Sequence, residues 1–127
     1  MSILNIKTLH KTSSATQVET TLVLEGNLDN STAAVLEERL NSALENKPAR
    51  LVFDLAGLKF ATSIGIRLFL LAGKKQRAHQ GQVSFVNLQP QIREVFDIMG
   101  SMPDMQVFAN QAELDAYLLA RQRTHLS

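Results

Sequence analysis

The chain has 127 residues, 45% hydrophobic and 20% charged, with a formal net charge of +1. That size and balance suit one continuous core and exclude the disordered and fibrous classes, while near-neutral charge gives no sign of a nucleic-acid or membrane-surface binder. With no cysteine, disulfides, thiolate metal sites and a cysteine nucleophile are excluded as well.

The first ten residues, MSILNIKTLH, alternate imperfectly and predict an edge strand, followed by a polar loop, KTSSATQ. In VETTLVLEG, Val18, Thr20, Leu22 and Leu24 share one parity, the signature of a half-buried strand that Gly26 ends. The two segments pair as a hairpin. In LDNSTAAVLEERLNSALEN the period changes: Ala33, Leu36, Leu40, Ala43 and Leu44 fall on one helical face, with Asn30 or Ser31 placed to cap the first amides.

ARLVFDLAGLKF is nearly continuously apolar, as a central strand covered on both faces would be, and Asp54 is its one acid. Such an aspartate ordinarily bonds nearby backbone amides. From Ile64 to His79 the pattern is helical, with Ile64, Leu68, Leu71 and Ala72 on the inner face and Ile66, Phe69 and Leu70 broadening it. Its cationic end, GKKQRAHQG, complements the helix dipole. QVSFVNL predicts another strand. PQIREVFDIMG predicts a helix with Pro90 in its first turn, Ile92, Val95, Phe96 and Met99 at helical spacing and a stop at Gly100. MQVFA predicts a last strand and NQAELDAYLLARQ a last helix capped by Asn110. Two strands followed by repeated helix and strand units define an α/β class: a small, mostly parallel sheet of four to five strands with an antiparallel edge strand. No leader opens the chain and the longest apolar run, Leu68–Ala72, is far too short to cross a bilayer. The expectation is one cytoplasmic domain over residues 1–127 without membrane insertion.

Enzyme signatures fail on residue type. Ser63 lies in TSIGI, which lacks the glycine two positions earlier that a nucleophile elbow requires. His10, His79 and His125 are scattered along the chain as surface histidines, so neither a triad nor a histidine metal site is indicated. No phosphate-binding glycine motif is present, and no cofactor is implied. Arg67, Lys74, Lys75 and Arg77 form the densest basic stretch. Arg67 and Lys74, seven apart, share a helix face that is either simply solvated or attractive to phosphate or an acidic partner.

In FATSIGIRLF two hydroxyl residues, Thr62 and Ser63, stand between a buried strand and an apolar helix. One cap suffices for one helix, and Ser63 is the expected N-cap of a helix starting near Ile64, at least partly exposed. Gly65 in the first turn costs helix propensity, which points to a close approach by a neighbour or partner. The junction also lies at the carboxyl end of a strand, where open parallel sheets place their functional surface.

The blocks LEGNLDNSTAAVLEERL, LVFDLAGLKFATSIGIRLFL and GQVSFVNLQPQIREVFDIMG, in this order and spacing, resemble the STAS family, the domain of bacterial anti-sigma factor antagonists and related regulatory modules. The resemblance covers about residues 22–119. It implies a small sheet with helices mainly on one face and a regulatory role without catalysis. It further implies binding to an anti-sigma factor or serine kinase, with a phosphatase as a further partner, ended by phosphorylation of a serine at the start of the second helix. In the family motif an aspartate precedes the acceptor and a glycine follows two positions later. Here the acceptor position is Ser63 and the glycine is Gly65, but Thr62 holds the aspartate position and is itself a second candidate acceptor. The implied partner surface comprises Thr62, Ser63, Gly65, Ile66 and Arg67 with Asn27, Asp29 and Asn30 of the neighbouring loop. The alternative within the family is an unphosphorylated STAS subunit of a larger assembly, such as a transporter or sensory complex.

Overall fold

The computed structural model describes residues 3–14, 17–98, 105–108, 110, 112–117 and 120. The elements run β1 (Leu4–Ser14), β2 (Gln17–Leu28), α1 (Ala33–Glu45), β3 (Arg50–Ala61), α2 (Ser63–Arg77), β4 (Gln82–Val86), α3 (Pro90–Ile98) and β5 (Met105–Phe108). The five strands form one sheet in the order β1-β2-β3-β4-β5. β1 pairs antiparallel with β2, and the other three pairings are parallel. This is the α/β arrangement expected from the change of period along the chain.

One face of the sheet carries the main core. Leu22 and Leu24 of β2, Leu51, Phe53 and Leu55 of β3, and Val83 and Phe85 of β4 meet Leu36 and Leu40 of α1, Ile66 and Phe69 of α2, and Ile92 and Phe96 of α3. On the other face Val52 and Val86 pack with Leu114 and, at the edge, Tyr117 of the helical residues 112–117. β3 is thus covered on both sides, which is why its sequence is apolar almost without interruption. Asp54 behaves as a strand aspartate should: its Oδ1 accepts from the Ala56 amide at 3.1 Å and from the Asn87 side chain at 3.1 Å. Asn110 caps the last helix, accepting from the Glu113 amide at 2.9 Å. The expected inward Met99, the stop at Gly100 and His125 lie outside the described residues.

Four expectations are corrected by the packing. The polar KTSSATQ is not all loop, because β1 continues through it to Ser14, which pairs with Gln17 in a long hairpin. Gly26 does not end β2. It adopts φ +114° at a register irregularity, a backbone shape that suits glycine, and lets the Ile3 carbonyl accept the Asn27 amide at 2.9 Å while the strand runs on to Leu28. The inner face of α2 is also rotated from the one expected. Gly65, Ile66, Phe69, Ala72, Gly73 and Gln76 are buried, whereas Ile64, Leu70 and Leu71 are exposed. A helix apolar on most sides does not reveal its inner face by period alone, and the small Gly65 is what lets its first turn sit close to Leu28 of the sheet. His79, finally, is only half-exposed, with its Nε2 3.2 Å from the Pro48 carbonyl oxygen.

Candidate functional site

The carboxyl ends of β2 and β3 lie side by side. Asn27 pairs with Phe60 and Leu28 with Ala61, and the Thr62 amide then donates to the Leu28 carbonyl at 2.9 Å. This bond holds Thr62 in an extended conformation, with ψ 169°, while its own carbonyl already accepts the Ile66 amide at 3.0 Å. Thr62 is therefore the N-cap residue and Ser63 the first helical residue, so the cap falls one position earlier than the one expected at Ser63. No side chain caps this end. Ser63 is exposed, and its hydroxyl makes no hydrogen bond among the described residues.

Thr62 differs from its neighbour. Its Oγ1 is buried and has no hydrogen-bond partner among the described residues. A buried hydroxyl left unpaired costs about 1–3 kcal/mol relative to one that is satisfied. Thr62→Val, which replaces that hydroxyl with a methyl group, is therefore expected to leave stability unchanged or raise it by up to about 1 kcal/mol. Urea unfolding checks this, and a clear loss would mean that the hydroxyl has a partner.

The loop before α1 is built by Asp29 rather than by Asn30 or Ser31. Asp29 Oδ1 accepts from the Ser31 amide at 2.9 Å, the Ser31 hydroxyl at 2.7 Å and the Thr32 amide at 3.2 Å. The buried Thr32 completes the turn, its Oγ1 accepting from the Asp29 amide at 2.9 Å and donating to the Asn27 carbonyl at 2.8 Å. An aspartate whose carboxylate collects amides two and three residues on is a local Asx turn. It gives this loop a defined shape next to Thr62.

The fold thus brings Asn27, Asp29 and Asn30 beside Thr62 and Ser63. Asn30, Ser63 and Arg67 are exposed, while Asn27 and Asp29 are half-buried. Gly65 and Ile66 lie elsewhere than a docking surface requires: both are buried, Ile66 fully. They support the junction from beneath, because a Cβ on Gly65 would come within 2.4 Å of Leu28 Cγ. The close neighbour that the glycine signalled is a side chain of the chain itself. The exposed apolar groups at this end are Phe60 (52%) and Ile64 (42%). Both were legible only as core, since strand and helix patterning alike assign such residues inward. Among the described residues no cluster of three His, Cys, Asp or Glu side chains could hold a metal ion, and no helix is long and apolar enough to cross a membrane.

An exposed serine that starts a helix at the carboxyl edge of a parallel sheet, beside a second shaped loop, suits the surface of a binding module. The profile of the family described as "Mlab, STAS domain" matches residues 12–102. The chain is 36% identical over 93 residues to BtrV of Bordetella bronchiseptica, whose name puts it among candidate anti-sigma factor antagonists, covering 73% of this chain and 79% of that protein. In fold it is similar to an anti-sigma factor antagonist from Mycobacterium paratuberculosis, with a TM-score of 0.73 at 22% identity over 92% of this chain and 95% of that one. It is similar as well to the anti-sigma factor antagonist SpoIIAA in its unphosphorylated form, with a TM-score of 0.68 at 20% identity over 87% of this chain and 96% of that one. The strand order, the helices mainly on one face and the profile match agree: the chain belongs to the STAS domain family and is anti-sigma factor antagonist-like.

Proposed function

We propose that this protein is a cytoplasmic binding module for an anti-sigma factor of the serine-kinase kind, and that phosphorylation of Ser63 ends the binding. The observation that carries this reading is the placement of Ser63: exposed, with a hydroxyl unbonded among the described residues, at the first position of α2 and beside the Asp29 turn. The names of BtrV and SpoIIAA support the same role. Thr62 is the weaker acceptor because its Oγ1 is buried.

A phosphate on Ser63 brings about −1.5 to −2 charges and several acceptor oxygens. The positive end of the helix dipole tolerates that charge, so the fold survives the modification. Arg67, four residues on, shares the helix face and can turn back to form a bidentate pair with the phosphate. Docking then weakens twice, by added repulsion and by withdrawal of an attractive cation.

The test uses a serine-kinase-type anti-sigma factor from the same genome. Incubation with ATP should add one phosphate to the wild type, mapped by mass spectrometry to Ser63, and none to Ser63→Ala. Since Ser63 does not cap the helix by its side chain, Ser63→Ala should change stability by no more than about 0.5 kcal/mol. Calorimetric affinities should fall in the order wild type near Ser63→Ala, then Ser63→Asp, then the phosphorylated form, the last at least about tenfold weaker, or 1.4 kcal/mol. Equal affinities across the series would reduce Ser63 to a structural residue. A partner that is a membrane-transport subunit, with no phosphate on Ser63, would favour the scaffold alternative instead.

A further inference from the structure

α2 has an outward side that its packing does not use. Ile64 and Leu71, seven residues apart, are 42% and 36% exposed. Between and beyond them stand Arg67 and Lys74, also seven apart and exposed, neither of whose side chains makes a hydrogen bond or ion pair among the described residues. Residues spaced i, i+3, i+7 and i+10 lie along one line of a helix, and this is the row that a second helix meets in heptad packing. Apolar and cationic groups therefore alternate along a single seam, Ile64, Arg67, Leu71, Lys74. At about 1.5 Å per residue the seam is about 15 Å long, nearly three turns. α2 carries four cations, Arg67, Lys74, Lys75 and Arg77, and no carboxylate. The helix dipole accounts for the cations of the last turn, but Arg67 stands nearly three turns from that end. Lys75 differs from Lys74, because its Nζ donates to Asn41 Oδ1 at 3.3 Å and so ties α2 to α1.

We propose that this seam seats an acidic amphipathic helix of the partner, with two apolar residues at heptad spacing meeting Ile64 and Leu71 and carboxylates between them meeting Arg67 and Lys74. Charge complementarity selects the occupant: a basic or neutral helix would leave two cations facing it unmatched. The inference rests on the docking role of this end of the molecule and extends it along the helix, well beyond Ser63. It also places Arg67 in both states of the switch, on the partner's carboxylates when Ser63 is free and on the phosphate when it is not.

Site-specific photo-crosslinking in the full chain, expressed in its native host, tests the seam. A photoreactive phenylalanine analogue is placed singly at Asn30, at Leu71 and, as a control on the sheet face away from α1–α3, at Leu9; all three sites are exposed. The Asn30 and Leu71 probes are expected to capture the same protein, and the peptide captured at Leu71 to carry apolar residues seven apart with acidic residues between them. Lys74→Glu should lower that capture about tenfold, and reversing an acidic residue of the captured peptide to lysine should restore it. Capture at Asn30 without capture at Leu71 would overturn the seam and leave the docking role standing. Capture at neither would overturn both. A neutral or basic peptide at Leu71, or a second copy of this chain, would overturn the acidic-helix assignment.

Discussion

Gly65→Val is expected to destabilise the protein by about 3 kcal/mol or more, beyond the usual cost of overpacking. Gly65 is buried in the first turn of α2, and an added Cβ there would lie 2.4 Å from Leu28 Cγ and 2.7 Å from its Cδ2. Leu28 cannot easily yield. It is fully buried at the end of β2, paired with Ala61, and its carbonyl accepts the Thr62 amide. A branched side chain must therefore push the start of α2 outward, stretching that hydrogen bond and moving Ser63. Gly65→Ala should cost less, because alanine recovers about 1 kcal/mol of helix propensity against the same clash. Pairing Gly65→Ala with Leu28→Ala gives the decisive comparison. Leu28→Ala alone should cost about 2–5 kcal/mol, and the double variant should be more stable than the sum of the single losses, because each change relieves the other. Additive losses in urea titration, or a Gly65→Val protein as stable as the wild type, would show that this contact does not position the helix. Partner affinity measured on the folded fraction should fall for Gly65→Val although no exposed atom has been removed.

Phe69→Ala should remove about 3–5 kcal/mol. Phe69 is fully buried on the inner face of α2, with ring centroids 4.9 Å from Phe53, 5.2 Å from Phe85 and 5.9 Å from Phe96. Phe85 in turn lies 5.2 Å from Phe53 and 5.1 Å from Phe96, so the four rings join β3, β4, α2 and α3. Truncating the ring leaves a cavity at the meeting point of both layers, where no single element can collapse to fill it. Small domains have about 5–15 kcal/mol in total, so the variant should be only marginally folded at 37 °C. Phe69→Leu keeps most of the volume and should lose less, though it gives up the edge-to-face contacts, each about 0.5–1.5 kcal/mol. Thermal unfolding followed by circular dichroism separates the two variants, and a loss below about 1 kcal/mol for the alanine variant would contradict this account.

Function and stability thus meet on the two sides of one helix. Ile66 and Phe69 hold α2 to the sheet, and the same backbone presents Ser63 and Arg67 to solvent. Gly65 lets the inner side approach Leu28 closely.

The type and order of the elements follow from the chain locally. Val18, Thr20, Leu22 and Leu24 alternate, β3 is apolar on both parities, and Asn110 stands where it caps a helix, because each pattern depends only on neighbours a few residues away. The junction at Thr62 and Ser63 was legible for the same reason, as was an exposed hydroxyl there. Which of the two is the cap was not. That depended on the Leu28 carbonyl, more than thirty residues earlier, holding Thr62 extended. The orientation of α2 was likewise open, since Ile64, Leu68, Leu70 and Leu71 are as apolar as Ile66 and Phe69. Only the place of Leu28 beneath Gly65, and of Phe53 and Phe85 beneath Phe69, selects the inner side. Local periodicity determines that a helix forms, but the side it turns inward is set by the shape of the surface that receives it, and that surface exists only when β2, β3 and β4 have come together.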